Sequence, residues 1–173
     1  AASAHPLSPA LVMSGMALWA MLLWRYPQSW LFVIPSALPF LNFLPWTGWQ
    51  LIDEFDLLLA TTIGVGYFRL LRDRRHLFPS LPTAFVAGLL IFLGSLIFGV
   101  IRGLLDAGNL QLEWFQGYTD AGNTLRVAKS SLFAMLLIPM LRQEFGVAPE
   151  RTSRLFATGM IAGLRVVAGA ACW

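Results

Sequence analysis

The chain has 173 residues, 57% of them hydrophobic and 12% charged, with a mean hydropathy of +0.67. Soluble domains carry about 25% charged residues, so this sequence lacks the polar surface needed to cover a water-soluble globule. The formal charge of +3 is weak support for nucleic-acid binding, because the cations sit at the ends of apolar runs, and the single Cys172 excludes an intrachain disulfide.

The apolar residues cluster in long runs, which predicts an all-α, polytopic transmembrane bundle of about five to six membrane segments in one domain spanning 1–173. The first run covers about Leu7 to Trp24 and ends at Arg25, Tyr26 and Pro27. The second runs from Trp30 to about Trp46 and holds Pro35, Pro39 and Pro45, so a regular helix is not expected throughout. Trp46 and Trp49 fit interfacial anchors. The third run begins near Trp49, ends near Leu71, and has Asp53, Glu54 and Asp56 in its first turns. The fourth, about Pro82 to Ile101, is uncharged, with Pro82 suited to a first helical turn. A polar stretch from Arg102 to Gly122 precedes the fifth run, about Thr124 to Leu141. The sixth starts near Thr152 and is cut off at Trp173. The start at Ala1 and the apolar end predict a fragment of a longer protein, and Ala1 to Pro9 lacks the basic region of a signal peptide.

Orientation follows from the short loops. Arg69, Arg72, Arg74 and Arg75 follow the third run, and Arg142, Arg151 and Arg154 flank the fifth-to-sixth connection. Such clusters face the cytoplasm. The stretch with Asp106, Glu113 and Asp120 then faces outward. Strict alternation places Ala1 outside, which predicts either a preceding helix or a re-entrant second run.

Four groups of charges could carry chemistry. Arg126 and Lys129 are three residues apart and share a helical face, with Arg102 across the outer loop. Arginine offers a planar fork of donors to phosphate oxygens and lysine a compact charge, so the three suit a diphosphate. The plainer alternative is snorkelling, or pairing with Asp106, Glu113 or Asp120. Asp53 and Asp56 share a face while Glu54 points away; acids there complement a helix N-terminus, neutralise Arg126 or Lys129, or accept a proton. The run from Arg69 to His76 reads as a topogenic cluster against anionic headgroups. Arg165, well inside the sixth run, is expected to face the bundle interior or a cavity. Gly159 and Gly163 have the small-xxx-small spacing of close helix packing. No Gly-rich phosphate loop, Ser/His/Asp set or HExxH is present, no Cys/His set has metal-ligand spacing, and neither His5 nor His76 has a partner that marks it as a base.

Two stretches carry a resemblance: Pro35 to Trp49 (PSALPFLNFLPWTGW) running on into Asp53-Glu54-Phe55-Asp56, and Asn123 to Lys129 (NTLRVAK). Together they resemble the early membrane region of the bacterial O-antigen ligase-like and polysaccharide-polymerase-like multispanning proteins. The resemblance takes in essentially the whole chain, as the first half of such a protein. It implies an inner-membrane glycosyltransferase that moves a glycan from a polyprenyl diphosphate carrier to an acceptor sugar at the outer face. Neither a metal nor another cofactor is implied. Arg126, then Lys129 and Arg102, would hold the leaving diphosphate. The acceptor hydroxyl needs a base. Asp53 or Asp56 is geometrically possible and nothing selects either. The family's large outer loop lies further along, so this stretch alone is not expected to be a complete enzyme. The competing readings are a transporter or flippase segment, and a non-catalytic membrane subunit.

Overall fold

The computed structural model describes residues 9–42, 52–73, 82–106 and 121–171. These residues are all-α and form six helices: α1 Pro9–Arg25, α2 Trp30–Asn42, α3 Glu54–Arg72, α4 Thr83–Asp106, α5 Ala121–Val147 and α6 Pro149–Ala171. Among the described residues there is no strand. Two of the helices, α4 and the Asn123–Val147 part of α5, are long and apolar enough to cross a membrane. At 1.5 Å per residue the 24 residues of α4 extend about 36 Å, more than the hydrocarbon thickness of about 30 Å. The expected anchors Trp46 and Trp49, together with Pro45, Arg74, Arg75, His76, Glu113 and Asp120, lie outside the described residues.

Helices α1, α3 and α5 run parallel. Trp19 of α1 donates its indole N–H to Thr62 of α3 at 2.9 Å, and Arg69 of α3 donates to the carbonyls of Leu23 and Trp24 at 3.2 and 2.9 Å. Those carbonyls belong to the last turn of α1, which has no intrahelical donor for them, so Arg69 caps one helix from another. Between α3 and α5 the order of contacts is the same. Asp56 meets Lys129 near one end, and Gly66 lies against Met140 near the other. Beside the latter contact, the Tyr67 hydroxyl donates to the Leu136 carbonyl at 3.0 Å. Leu136 lies in the turn that Pro139 distorts, because proline offers no N–H to the turn before it. Helix α4 returns against the start of α5: a Cβ built on Gly103 would fall 2.5 Å from the Thr124 hydroxyl.

The second run does form a helix through Pro35 and Pro39, contrary to the expectation of a break there. The physical reason is its partner. Helices α2 and α6 lie side by side in the same direction, and theirs is the most extensive helix contact. A Cβ on Gly159 would sit 2.5 Å from the Phe32 carbonyl oxygen, and one on Gly163 would sit 2.6 Å from that of Pro35. Pro39 supplies no N–H to the Pro35 carbonyl, and Gly163 lets that carbonyl approach α6. The small-residue spacing is therefore packing. Ala148 alone separates α5 from α6, and the buried Thr152 hydroxyl closes the joint by donating to the Glu144 carbonyl at 3.1 Å.

The core gathers Leu23, Trp30, Leu31 and Met140, with Trp19, Val65, Leu70 and Leu155 around them. Helix α4 contributes no buried residue. Its Ile91, Phe98 and Leu105 are 74%, 66% and 75% exposed.

Candidate functional site

One end of the structure collects the residues that the sequence singles out. It holds the start of α3, the end of α4 and the start of α5. Asp53 precedes α3 in extended conformation and caps it. Its Oδ1 accepts from the Asp56 N–H at 3.0 Å, and the Asp56 Oδ2 accepts from the Asp53 N–H at 2.9 Å. This reciprocal arrangement satisfies two N–H groups that a helix start otherwise leaves open. It also fixes both carboxylates on one side of the helix start.

Lys129 projects from α5 into that cap. Its ammonium pairs with the Asp56 carboxylate and lies 4.0 Å from Asp53 Oδ2. The Lys129 and Asp56 side chains are only 17% and 6% exposed. A buried charge without a partner costs several kcal/mol, whereas a buried pair with further hydrogen bonds is tolerated. Lys129 and the two aspartates are therefore brought together as one unit, joining α3 to α5.

The other sequence candidates divide. Arg126, one turn before Lys129, is half-buried. Arg102 stands outside the cluster, exposed, and within 3.9 Å of Asp106 one turn on. It follows the plainer alternative of a local surface pair. Arg165 is exposed on α6 rather than turned to a bundle interior. The register of α6 is set by Gly159 and Gly163 against α2, which rotates Arg165 outward. Among the described residues no group of His, Cys, Asp or Glu could hold a metal ion.

The opposite end carries a feature the sequence reading missed. Arg25, Arg69 and Arg151 lie there with the α5–α6 joint, around a cavity of about 560 Å³. Gln28 reaches across it and donates to Glu144 at 2.8 Å. The signal for this site was present in Gln28 and Ser29, polar residues between two apolar runs. Their meeting with α5 is a tertiary event that spacing along one chain does not encode. The Arg69 and Arg72 guanidinium groups lie 5.8 and 5.2 Å from the Trp24 ring centre, and Arg25 lies 5.3 Å from that of Tyr26.

No family model, no curated protein and no solved structure matches this chain.

Proposed function

We propose that the chain is an integral, multi-pass membrane bundle of the bacterial inner membrane. In this reading its Asp53–Asp56–Lys129 end faces outward and serves glycosyl transfer from a polyprenyl-diphosphate-linked glycan. The membrane part is supported above all by α4: 24 residues, apolar throughout its middle and exposed almost all round. Monomers in water rarely leave a contiguous apolar surface of more than a few hundred Å² uncovered. The outward placement is supported by charge. Among the described residues Arg25, Arg69, Arg72, Arg142, Arg151 and Arg154 belong to one end, against Arg102, Arg126 and Lys129 at the other.

The transfer chemistry rests on the resemblance and on one observation, the meeting of cations and carboxylates at that outward end. Cleavage of a sugar–diphosphate bond builds negative charge on the leaving group, which preorganised cations stabilise. Arg126, on the same face of α5 as Lys129, is assigned to the diphosphate. Lys129 is committed to Asp56 and contributes field rather than direct contact. Asp56 already accepts two hydrogen bonds, and Asp53 has one oxygen outside the cap, so Asp53 is the better proton acceptor.

A second reading, a non-catalytic membrane subunit, is favoured by the neutralisation of Lys129. The test is Arg126→Ala and Arg126→Lys in the full-length protein, scored by surface-glycan display at matched expression. The transferase reading predicts loss in the first and partial display in the second. Full display in both supports the subunit reading.

A further inference from the structure

The cavity at the arginine-rich end is distinct from the outward charge cluster. Its floor is apolar, formed by Leu23, Val65, Leu70 and Met140. Its charged wall holds Arg25, Arg69 and Arg151, opposed by Asp73 and Glu144. Among the described residues, the buried Gln28 Oε1 and Ser29 Oγ have no hydrogen-bond partner. The Gln28 amide is oriented by its own donation to Glu144, so Oε1 is left as an acceptor. Buried polar atoms of this kind are normally satisfied, and each unsatisfied one calls for a missing partner.

We infer that this cavity binds a phosphodiester headgroup that also carries a hydroxyl, with the acyl chains of a glycerol- or sugar-headed phospholipid on the apolar floor. Three observations define that chemistry. The wall sums to one net positive charge, three arginines against two carboxylates, which a singly charged diester balances and a dianion overshoots. Arginine forks match phosphate oxygens, and Arg25 and Arg151 make no ion pair among the described residues. The ligand must also bring a donor for Gln28 Oε1, which a hydroxyl supplies and a quaternary ammonium does not. Basic pockets between helices on the cytoplasmic side are suited to anionic headgroups.

The inference rests on the membrane reading above, and the experiment separates the two. Full-length protein is first extracted from membranes with alkaline carbonate. Release into the soluble fraction overturns the membrane reading itself. Protein that stays with the membrane is then placed in nanodiscs of phosphatidylglycerol or of phosphatidylcholine, and retained lipid is counted by native mass spectrometry. Preferential retention of phosphatidylglycerol is expected, falling roughly fivefold in Arg151→Gln and similarly in Arg25→Gln, about the effect of one surface cation. Both residues are exposed, so both variants are expected to keep wild-type helicity by circular dichroism. Thermal protection by glycerophosphoglycerol alone, lost in Arg151→Gln, would place the phosphate on a soluble diester and still support the site. Retention that ignores headgroup and both arginines overturns it.

Discussion

Replacing Lys129 by Met removes the cation that neutralises Asp56 and retains most of the side-chain volume. The carboxylate left behind is 6% exposed and keeps one hydrogen bond, from the Asp53 N–H. Breaking a buried pair by removing one partner costs about 3–5 kcal/mol. The surviving bond and the 17% exposure of Lys129 place the expected loss near the lower bound, about 3 kcal/mol. For a chain of this size that lowers Tm by roughly 6–12 °C. The double variant Lys129→Met/Asp56→Leu removes both charges and is expected to recover to within about 1 kcal/mol of the parent, less the cap contribution of Asp56. Thermal unfolding in a mild detergent, followed by circular dichroism across the four members of the cycle, reads the coupling. Additive effects, or a Lys129→Met loss of less than about 1 kcal/mol, would show that the pair is solvated and that the joining of α3 to α5 does not depend on it.

Gly163→Val places side-chain carbon where the Pro35 carbonyl approaches. It is expected to destabilise by about 1–3 kcal/mol, while Gly94→Val in the open face of α4 is expected to be silent by the same melt. Tyr67→Phe deletes the donor to the Leu136 carbonyl and is expected to cost about 1 kcal/mol. Arg102→Gln, which breaks only an exposed local pair, is expected to leave Tm unchanged. Ile97→Arg in the middle of α4 adds about 2.5–3.5 kcal/mol to insertion, and reduced membrane recovery on carbonate extraction checks it.

The helices themselves were readable from apolar periodicity and length. The fourth run, about Pro82 to Ile101, is α4 extended by one turn to Asp106. The acids at Asp53 and Asp56 were read as an N-terminal charge pattern and as partners for a basic residue, and both roles occur together. Reading Pro35 and Pro39 as a break failed because proline's cost depends on what the freed carbonyls meet. Here the Pro35 carbonyl, freed by Pro39, meets the backbone at Gly163, more than a hundred residues away in sequence. The sequence placed Arg102, Arg126 and Lys129 together at one end, and they do share it. It had no means of separating them, since which cation turns into the bundle is decided by side-chain packing between helices. The cavity between Gln28 and Glu144 was invisible for the same reason.

The orientation of the bundle is tested most directly by cysteine labelling in intact cells. In a Cys172→Ser background, single cysteines replace Asp106 at the acidic end and Arg154 at the arginine-rich end, both exposed. A membrane-impermeant maleimide is expected to label Asp106→Cys in intact cells and Arg154→Cys only after permeabilisation. Equal labelling of both in intact cells, or recovery of either protein in the soluble fraction, would contradict the membrane-spanning arrangement and with it an outward Asp53–Asp56–Lys129 site.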